Sequence, residues 1–175
     1  KDEEVSLVEK KFKVSRNEFF ITTALVAISI YNNKEKIKLS WIYNGREDLE
    51  MMHSVGLLFR NLPVAYDFKN NDKLIDIYSN IHNQVQEAIK HSCYPYIESN
   101  SAVVDDDIAC LLYQADLRDS SGFGEFMPET IDVRQNNPAS QTVLDMEVLD
   151  GSSGLEIYLD YAASRYNDSS MEKFN

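Results

Sequence analysis

Two stretches of the chain carry hydrophobic residues at helical spacing. In residues 19–31 the apolar side chains fall on almost every face, which is typical of a helix buried against a sheet. Residues 15–17 supply side chains that can cap the start of this helix. In residues 71–90, which Asn71 or Asp72 can cap, the apolar positions recur three or four apart. They predict one core-packed stripe at Leu74, Ile77, Tyr78, Ile81, Val85, Ala88 and Ile89.

Five segments carry the patterns expected of β-strands. Residues 36–43 alternate between apolar and polar positions, and residues 108–113 form the continuous apolar run of a central strand covered on both faces. Residues 57–67 predict an irregular strand, in which Pro63 lacks an N–H and so marks a sheet edge or a bulge. The last two strands, 141–149 and 155–161, flank the hairpin sequence Asp150-Gly151-Ser152-Ser153-Gly154. This alternation of helices and strands predicts an α/β fold with a mixed sheet and helices packed mainly on one side.

The composition and charge exclude several classes of protein. The chain has 175 residues, of which 43% are hydrophobic, so it can bury a core. Its net charge of −12 argues against a nucleic-acid partner or an anionic membrane surface, because both need a positive field. The longest apolar stretch is too short and too polar to cross a bilayer, and the chain starts without a signal peptide. With two scattered cysteines, Cys93 and Cys110, the sequence predicts a cytoplasmic protein with reduced thiols.

No segment predicts an active site or a metal site. Cys93 lies two residues after a histidine, but adjacency in sequence does not make a catalytic dyad. Residues 105–107 are three aspartates without the spaced oxygens of a calcium loop, and residues 122–124 do not complete a phosphate-binding loop. The three histidines share no metal-ligand spacing, and surface or structural roles are the better interpretation of His53, His82 and His91.

The order of several short motifs is more informative than any one of them. The motifs are, in chain order, Asn44-Gly45-Arg46, Val55-Gly56-Leu57-Leu58, Leu62-Pro63-Val64, His91-Ser92-Cys93-Tyr94-Pro95-Tyr96, Leu144-Asp145-Met146 and Tyr158-Leu159-Asp160-Tyr161. This order resembles the C-terminal half of a condensation domain of nonribosomal peptide synthetases. That family has a Gly-Arg strand end, a Val-Gly-x-Phe-x-Asn-Thr-Leu-Pro segment, a His-x-x-Tyr-Pro-Phe segment and a late Phe-Asp-Leu strand. The resemblance covers nearly the whole chain.

The chain departs from the family pattern at several positions. Leu58 stands in place of the family's Phe, and Arg60 in place of its Asn, with Asn61 next to it. Val64 and Ala65 follow the Leu-Pro pair where the family often has an Arg. The family's Arg-x-x-Ser-x-x-Pro stretch is not recognisable in residues 99–107. These departures raise a divergent or inactive relative as an alternative.

The resemblance implies a specific architecture and role. It implies a chloramphenicol-acetyltransferase-like α/β sandwich lobe, so that residues 1–175 are a single C-terminal lobe, cut at both ends from a larger polypeptide. In such domains the acceptor amine attacks a thioester in a tunnel between two lobes and forms an amide bond. The catalytic His-His-x-x-x-Asp-Gly motif belongs to the N-terminal lobe, and no His-His occurs here. The isolated chain is therefore predicted to be inactive.

The same resemblance implies the partners and the tethered substrates. The partners are the missing N-terminal lobe and the peptidyl or aminoacyl carrier proteins. No cofactor is bound directly, because the phosphopantetheine arms of the carriers enter the tunnel as tethered substrates. An apolar surface facing the other lobe would also let the fragment self-associate.

The matched positions supply candidate site residues. For the substrate tunnel the resemblance implies Asn44, Gly56, Arg60 and Asn61; the last two are equally well explained as polar positions on an edge strand. Structural roles are implied for Gly45, Arg46, Pro63 and Asp145. In these roles Gly45 shapes a turn, Arg46 anchors a loop, and Asp145 is a buried, hydrogen-bonded acid.

Two other functions stay open from the sequence. The chain could be a degenerate, non-catalytic module that only docks a carrier protein. It could also be a stand-alone acyltransferase that uses His53 or His91 and completes its site between subunits.

Overall fold

The computed structural model describes residues 2–46, 48–94, 109–115, 143–151 and 154–172. The elements follow the chain in a fixed order. They are helices α1 (Asp2–Phe12) and α2 (Arg16–Asn32), strand β1 (Lys36–Tyr43), helix α3 (Leu49–Met52), strand β2 (Arg60–Asp67), helix α4 (Leu74–Lys90), strands β3 (Ala109–Ala115), β4 (Leu144–Gly151) and β5 (Gly154–Tyr161), and helix α5 (Asp168–Met171).

The five strands form one mixed sheet in the order β2-β1-β3-β4-β5. The β1–β2 and β4–β5 pairs are antiparallel, whereas β1–β3 and β3–β4 are parallel. Helices α2 and α4 pack on one face of this sheet and share a core with it, centred on Ile21, Leu25, Leu39, Trp41, Ile81 and Leu111. The predicted mixed α/β sheet with helices mainly on one side is confirmed.

Helix α2 begins where the capping residues predicted. Ser15 and Glu18 form a capping box: the Glu18 N–H donates to Ser15 Oγ at 3.3 Å, and the Ser15 N–H donates to Glu18 Oε2 at 2.7 Å. The helix ends at Asn33, which adopts the left-handed conformation with φ of 50°. Ile21 and Leu25 are fully buried against the sheet, as expected from its apolar faces.

Helix α4 begins three residues later than predicted. The Asp72 carboxylate accepts a hydrogen bond from the Lys69 N–H at 2.8 Å, so it closes the preceding turn and does not cap the helix. Lys73 occupies the N-cap position without a side-chain hydrogen bond. Buried Ile77, Tyr78, Ile81 and Val85, with partly buried Ala88 and Ile89, confirm the core-packed stripe. The prediction was wrong at Leu74, which is exposed because it begins the helix.

Strand β2 lies at one edge of the described sheet, as Pro63 predicted. It starts at Arg60, three residues after the predicted start, because the preceding residues form an exposed loop. Strand β3 is central in the sheet, but Cys110 and Leu112 are only partly buried because the described helices cover the opposite face. The β4–β5 hairpin is confirmed, with Gly151 opposite Gly154.

Three short elements differ from the sequence-based expectation. Helix α1 was not predicted, although Val5, Val8 and Phe12 give it a weak apolar stripe, and Phe12 stacks on Tyr78 at 4.8 Å. Helix α3 was also missed because it is a single turn. The sequence offers Asp168 or Ser169 as the cap of the last helix, but Asn167 is the residue that caps it.

Some predictions concern residues that the structure does not describe. Residues 99–107 and 122–124, and the residues Pro95-Tyr96 of one motif, lie outside the described ranges. Within those ranges, no helix combines the length and the apolar character that a bilayer span requires.

Candidate functional site

The predicted tunnel residues gather at one end of the sheet. Asn44 follows the carboxyl end of β1, and Arg60 at the start of β2 lies opposite Tyr43 in the antiparallel register. Helix α4 also ends here, since the Arg60 side chain reaches Ser92. The site is therefore built by the turn after β1, the loop before β2 and the end of α4.

Gly45 is required by the geometry of the turn after β1. It has a φ of +70°, and a Cβ atom at this position would lie 2.1 Å from the carbonyl oxygen of Leu58. Only a residue without a side chain adopts this conformation cheaply and allows this approach. The loop before β2 therefore rests directly on the backbone of Gly45.

Arg46 holds the same loop from the side. Its Nη2 donates to the carbonyl oxygens of Ser54 and Gly56, each at 3.4 Å, and its Nη1 donates to Asn44 Oδ1 at 3.4 Å. The guanidinium thus bridges the turn after β1 and the loop. This geometry suits an anchoring residue.

The loop presents a group of exposed apolar side chains. Asp48 Oδ1 accepts the N–H of Met51 at 2.7 Å and caps the single turn of α3 that opens the loop. Large hydrophobic residues are then left in solvent over eleven positions, and Val55 is fully exposed. We call this set the apolar loop patch: Leu49, Met52, Val55, Leu57 and Phe59. These exposed apolar side chains make the loop a candidate interaction surface.

Arg60 connects β2 to the end of α4. Its Nη1 lies 3.3 Å from Ser92 Oγ and 3.3 Å from Cys93 Sγ. Ser92 is buried, whereas Cys93 is exposed. The arginine that replaces the family's Asn is therefore engaged inside the chain, and it fixes the start of the segment that continues into Tyr94.

Asn61 faces away from Arg60, because neighbouring residues of a strand point to opposite faces. The Arg60 side chain lies on the same face as buried Leu62, under the helices, while Asn61 lies beside Ile42 on the open face. Its Oδ1 atom is buried and has no hydrogen-bond partner among the described residues. The sequence placed Arg60 and Asn61 in one site, but the structure gives them different surroundings.

Gly56 and Asn44 are exposed at this end of the sheet. A Cβ atom on Gly56 would meet nothing within 4 Å of it. No close contact among the described residues therefore requires a glycine at this position. The Oδ1 atom of Asn44 accepts the hydrogen bond from Arg46.

Asp145 lies away from this site, in the middle of the open face of the sheet. It is half-buried, which corrects the prediction of a buried acid, because the described helices cover the other face. In the register it lies opposite Cys110 and Asp160. Burial raises the pKa of the Cys110 thiol; a hydrogen bond with Ser40 lowers it, and the nearby Asp145 charge adds a smaller rise.

The histidines do not form a catalytic group with these residues. His53 is exposed at the end of α3, and the His91 Nε2 atom lies 3.9 Å from Glu87 on the exposed end of α4. The helical spacing of the sequence places His82 on the outer side of α4, but its Nδ1 atom lies 2.9 Å from the buried Glu18 carboxylate. Among the described residues, no three His, Cys, Asp or Glu side chains are grouped as metal ligands.

A second polar network lies at the carboxyl ends of β3 and β4. Asp150 Oδ2 accepts hydrogen bonds from Arg16 Nη1 at 2.6 Å and from the Tyr113 hydroxyl at 3.0 Å. Burial raises the pKa of Tyr113 to about 12, and the hydrogen bond to the Asp150 carboxylate adds to the rise. Tyr113 therefore stays protonated and keeps donating to Asp150, so this network ties the start of α2 to the sheet.

The fold is that of known synthetase domains. The condensation domain of the monacolin K polyketide synthase MokA matches with a TM-score of 0.78 and 15% identity, over 97% of this chain and 41% of that one. The epimerization domain of the third module of tyrocidine synthetase B matches with a TM-score of 0.70 and 16% identity, over 98% of this chain and 42% of that one. The four-domain nonribosomal peptide synthetase AB3403 matches with a TM-score of 0.79 and 12% identity, over 97% of this chain and 14% of that one.

The chain is shorter than the domains it matches. It spans about two fifths of the MokA and tyrocidine synthetase domains. None of the curated proteins matches the chain. The family model described as "Condensation domain" matches residues 2–175. The chain therefore belongs to the condensation-domain family.

Proposed function

We propose that the chain is the C-terminal lobe of a condensation domain and forms one wall of the tunnel in which an amide bond is made. The observation that carries this proposal is the apolar loop patch, held in place by Gly45 and Arg46 at positions that match the family's motifs. A patch of this kind, fixed by backbone contacts and left in solvent, suits a surface that is covered by the other lobe.

The proposed reaction joins two substrates that carrier proteins deliver on phosphopantetheine arms. The amine of the acceptor attacks the thioester of the donor, an amide bond forms, and the donor's pantetheine thiol leaves. The sequence lacks the family's His-His-x-x-x-Asp-Gly motif, so we assign the general base to the other lobe. The contribution of this chain is to position the tethered reactants, which lowers the entropic part of the barrier.

Within this wall, Arg60 and Asn61 have different roles. Arg60 donates to Ser92 and Cys93, so it positions the segment after α4. The buried Asn61 Oδ1 atom accepts no hydrogen bond from the described residues, and a pantetheine arm carries two amide N–H groups. A buried acceptor without a partner is costly unless a ligand or water supplies a donor. Asn61 is therefore the proposed contact to the arm.

The activity of the isolated chain tests the proposed division of labour. We expect no condensation product when the 175-residue chain is mixed with an acylated donor carrier and an aminoacylated acceptor carrier. Joining the chain to an N-terminal lobe that carries His-His-x-x-x-Asp-Gly should restore product formation, measured by mass spectrometry of the acceptor carrier. Product from the chain alone would show that the base lies within it and would reject the assignment.

Replacing Asn61 separates a contact to the arm from a structural role. In the joined domain, Asn61→Ala should raise the KM for the carrier-bound substrate about three- to tenfold, the effect of one lost hydrogen bond. The free energy of unfolding of the chain should stay equal or rise, because the Oδ1 atom loses no partner among the residues that the structure describes. Asn83→Ala, at an exposed carboxamide on α4, is the matched control. An unchanged KM would place Asn61 outside the substrate path.

The alternative is a degenerate lobe that docks a carrier protein without chemistry. This alternative predicts that the joined domain binds a carrier protein but forms no product with any pair of substrates. Titration of the joined domain with an acylated carrier at low salt, run beside the condensation assay, distinguishes the two functions. Binding without turnover would favour the docking module.

A further inference from the structure

The outer edge of β2 is closed by a side chain in the described part of the chain. β2 ends the sheet, so alternate N–H and C=O groups along it point away from β1. Such an edge is a template on which another chain can add a strand. Ala65 lies at the centre of this edge, and its backbone groups face outward to helix α4.

Gln84 of α4 satisfies both backbone groups of Ala65. The Ala65 N–H donates to Gln84 Oε1 at 3.1 Å, and Gln84 Nε2 donates to the Ala65 carbonyl oxygen at 2.8 Å. A carboxamide carries one acceptor and a donor side by side, as a peptide group does. The Gln84 side chain therefore takes the place that one residue of a sixth strand would occupy.

Asn80 fixes the orientation of that carboxamide. Its Oδ1 atom accepts a second hydrogen bond from Gln84 Nε2 at 2.6 Å, one helical turn before Gln84. This contact holds the amino group toward the Ala65 carbonyl and the oxygen toward the Ala65 N–H. The geometry is thus set by three residues, and a rotated Gln84 amide would lose all of these bonds.

On the outer edge of β2, Ala65 lies between Pro63 and Asp67. Pro63 has no N–H group to offer on this edge. Its backbone faces the same side as that of Ala65, because the two residues are two apart in the strand. Two shallow cavities of about 340 and 240 Å³ flank the contact, and both are lined by Ala65 and Gln84.

We propose that Gln84 guards the β2 edge against antiparallel pairing with the β2 edge of a second copy of this chain. The same edge on two copies can pair about a two-fold axis, so each copy supplies the surface that the other needs. The guard works by occupying the Ala65 donor and acceptor. Removing it exposes an unpaired N–H and C=O pair in the middle of a strand.

Truncating Gln84 tests this proposal directly. In Gln84→Ala, the Ala65 amide should exchange with deuterium about tenfold faster than in the wild type at low protein concentration, measured by NMR. At high concentration the same amide should regain protection, and sedimentation velocity should show a larger dimer fraction than in the wild type. The wild type carries the same apolar loop patch, so association through that patch is common to both proteins and cancels in the comparison.

Two further variants keep the outcome clear. Asn83→Ala removes an exposed carboxamide from the same helix and should match the wild type in both measurements. Gln84→Lys should speed Ala65 exchange but leave the dimer fraction unchanged, because an edge lysine opposes strand pairing by its charge. The proposal is overturned if Gln84→Ala neither gains a dimer nor shows concentration-dependent protection of Ala65. It is equally overturned if Gln84→Lys dimerises to the same extent as Gln84→Ala.

Discussion

Gly45→Ala should be the most damaging single substitution at the loop end of the sheet. The new Cβ atom would lie 2.1 Å from the Leu58 carbonyl oxygen, which is a backbone atom and cannot rotate away. The positive φ of Gly45 adds a cost of about 1–2 kcal/mol for a residue with a side chain. Relief of the overlap requires the loop to move, at a further cost of about 1–3 kcal/mol.

The expected result is a loss of about 2–5 kcal/mol in the free energy of unfolding, measured by urea denaturation of the chain. Gly56→Ala is the matched control, because a Cβ atom there meets nothing within 4 Å and the substitution should change stability little. Gly45→Ala should also increase hydrogen exchange in residues 54–58, because the loop can no longer pack against the turn after β1. Equal stabilities of the two variants would mean that the loop does not rest on Gly45.

Glu18→Ala should have the second largest effect, because it removes the centre of a buried network. The Glu18 carboxylate is 3% exposed and accepts hydrogen bonds from the Ser15 N–H, from His82 Nδ1 at 2.9 Å and from Gln86 Nε2 at 3.5 Å. Its removal ends the capping box of α2 and breaks the side-chain link from α2 to α4. We expect a loss of about 2–4 kcal/mol, from the cap and from buried groups left unpaired.

Comparison with smaller changes separates the two parts of this effect. Ser15→Ala removes only the side-chain half of the capping box and should cost about 1 kcal/mol. A double-mutant cycle of Glu18→Ala with His82→Ala isolates the contact between the helices, and we expect an interaction energy of about 1 kcal/mol or more. Glu87→Gln, at an exposed acid of α4, is the surface control and should leave stability unchanged. Additive losses in the cycle would mean that His82 contributes nothing through Glu18.

Arg60 shows why a residue that departs from the family motif need not mean a lost function. Arg60 stands where the family has Asn, and from sequence this departure favoured a degenerate lobe as readily as a divergent one. In the structure its guanidinium binds Ser92 and Cys93, residues 32 and 33 positions away in the chain. Arg46, by contrast, contacts residues within ten positions, and its loop-anchoring role could be anticipated from sequence.

Local pattern was sufficient for most of the secondary structure and for the family. Strand β1 was predicted with its observed bounds, and α2 was predicted with its cap, because alternation, helical spacing and capping depend on residues within one or two turns. The order of the motifs identified the condensation-domain family, which the match over residues 2–175 confirms. Helix α1 was not predicted, because its apolar stripe is narrow and its packing depends on Tyr78, which is distant in the sequence.

What local pattern could not supply is the set of contacts between residues far apart in the chain. Glu18 with His82, Arg60 with Ser92 and Gln84 with Ala65 each join two different elements, and single polar residues carry no sequence signal that names their partner. The opposite surroundings of Arg60 and Asn61 arise in the same way, since strand alternation separates them but only the placement of the helices decides which face is covered. The chain's elements and family thus follow from short-range chemistry, whereas the roles of its polar side chains follow from how the helices pack on the sheet.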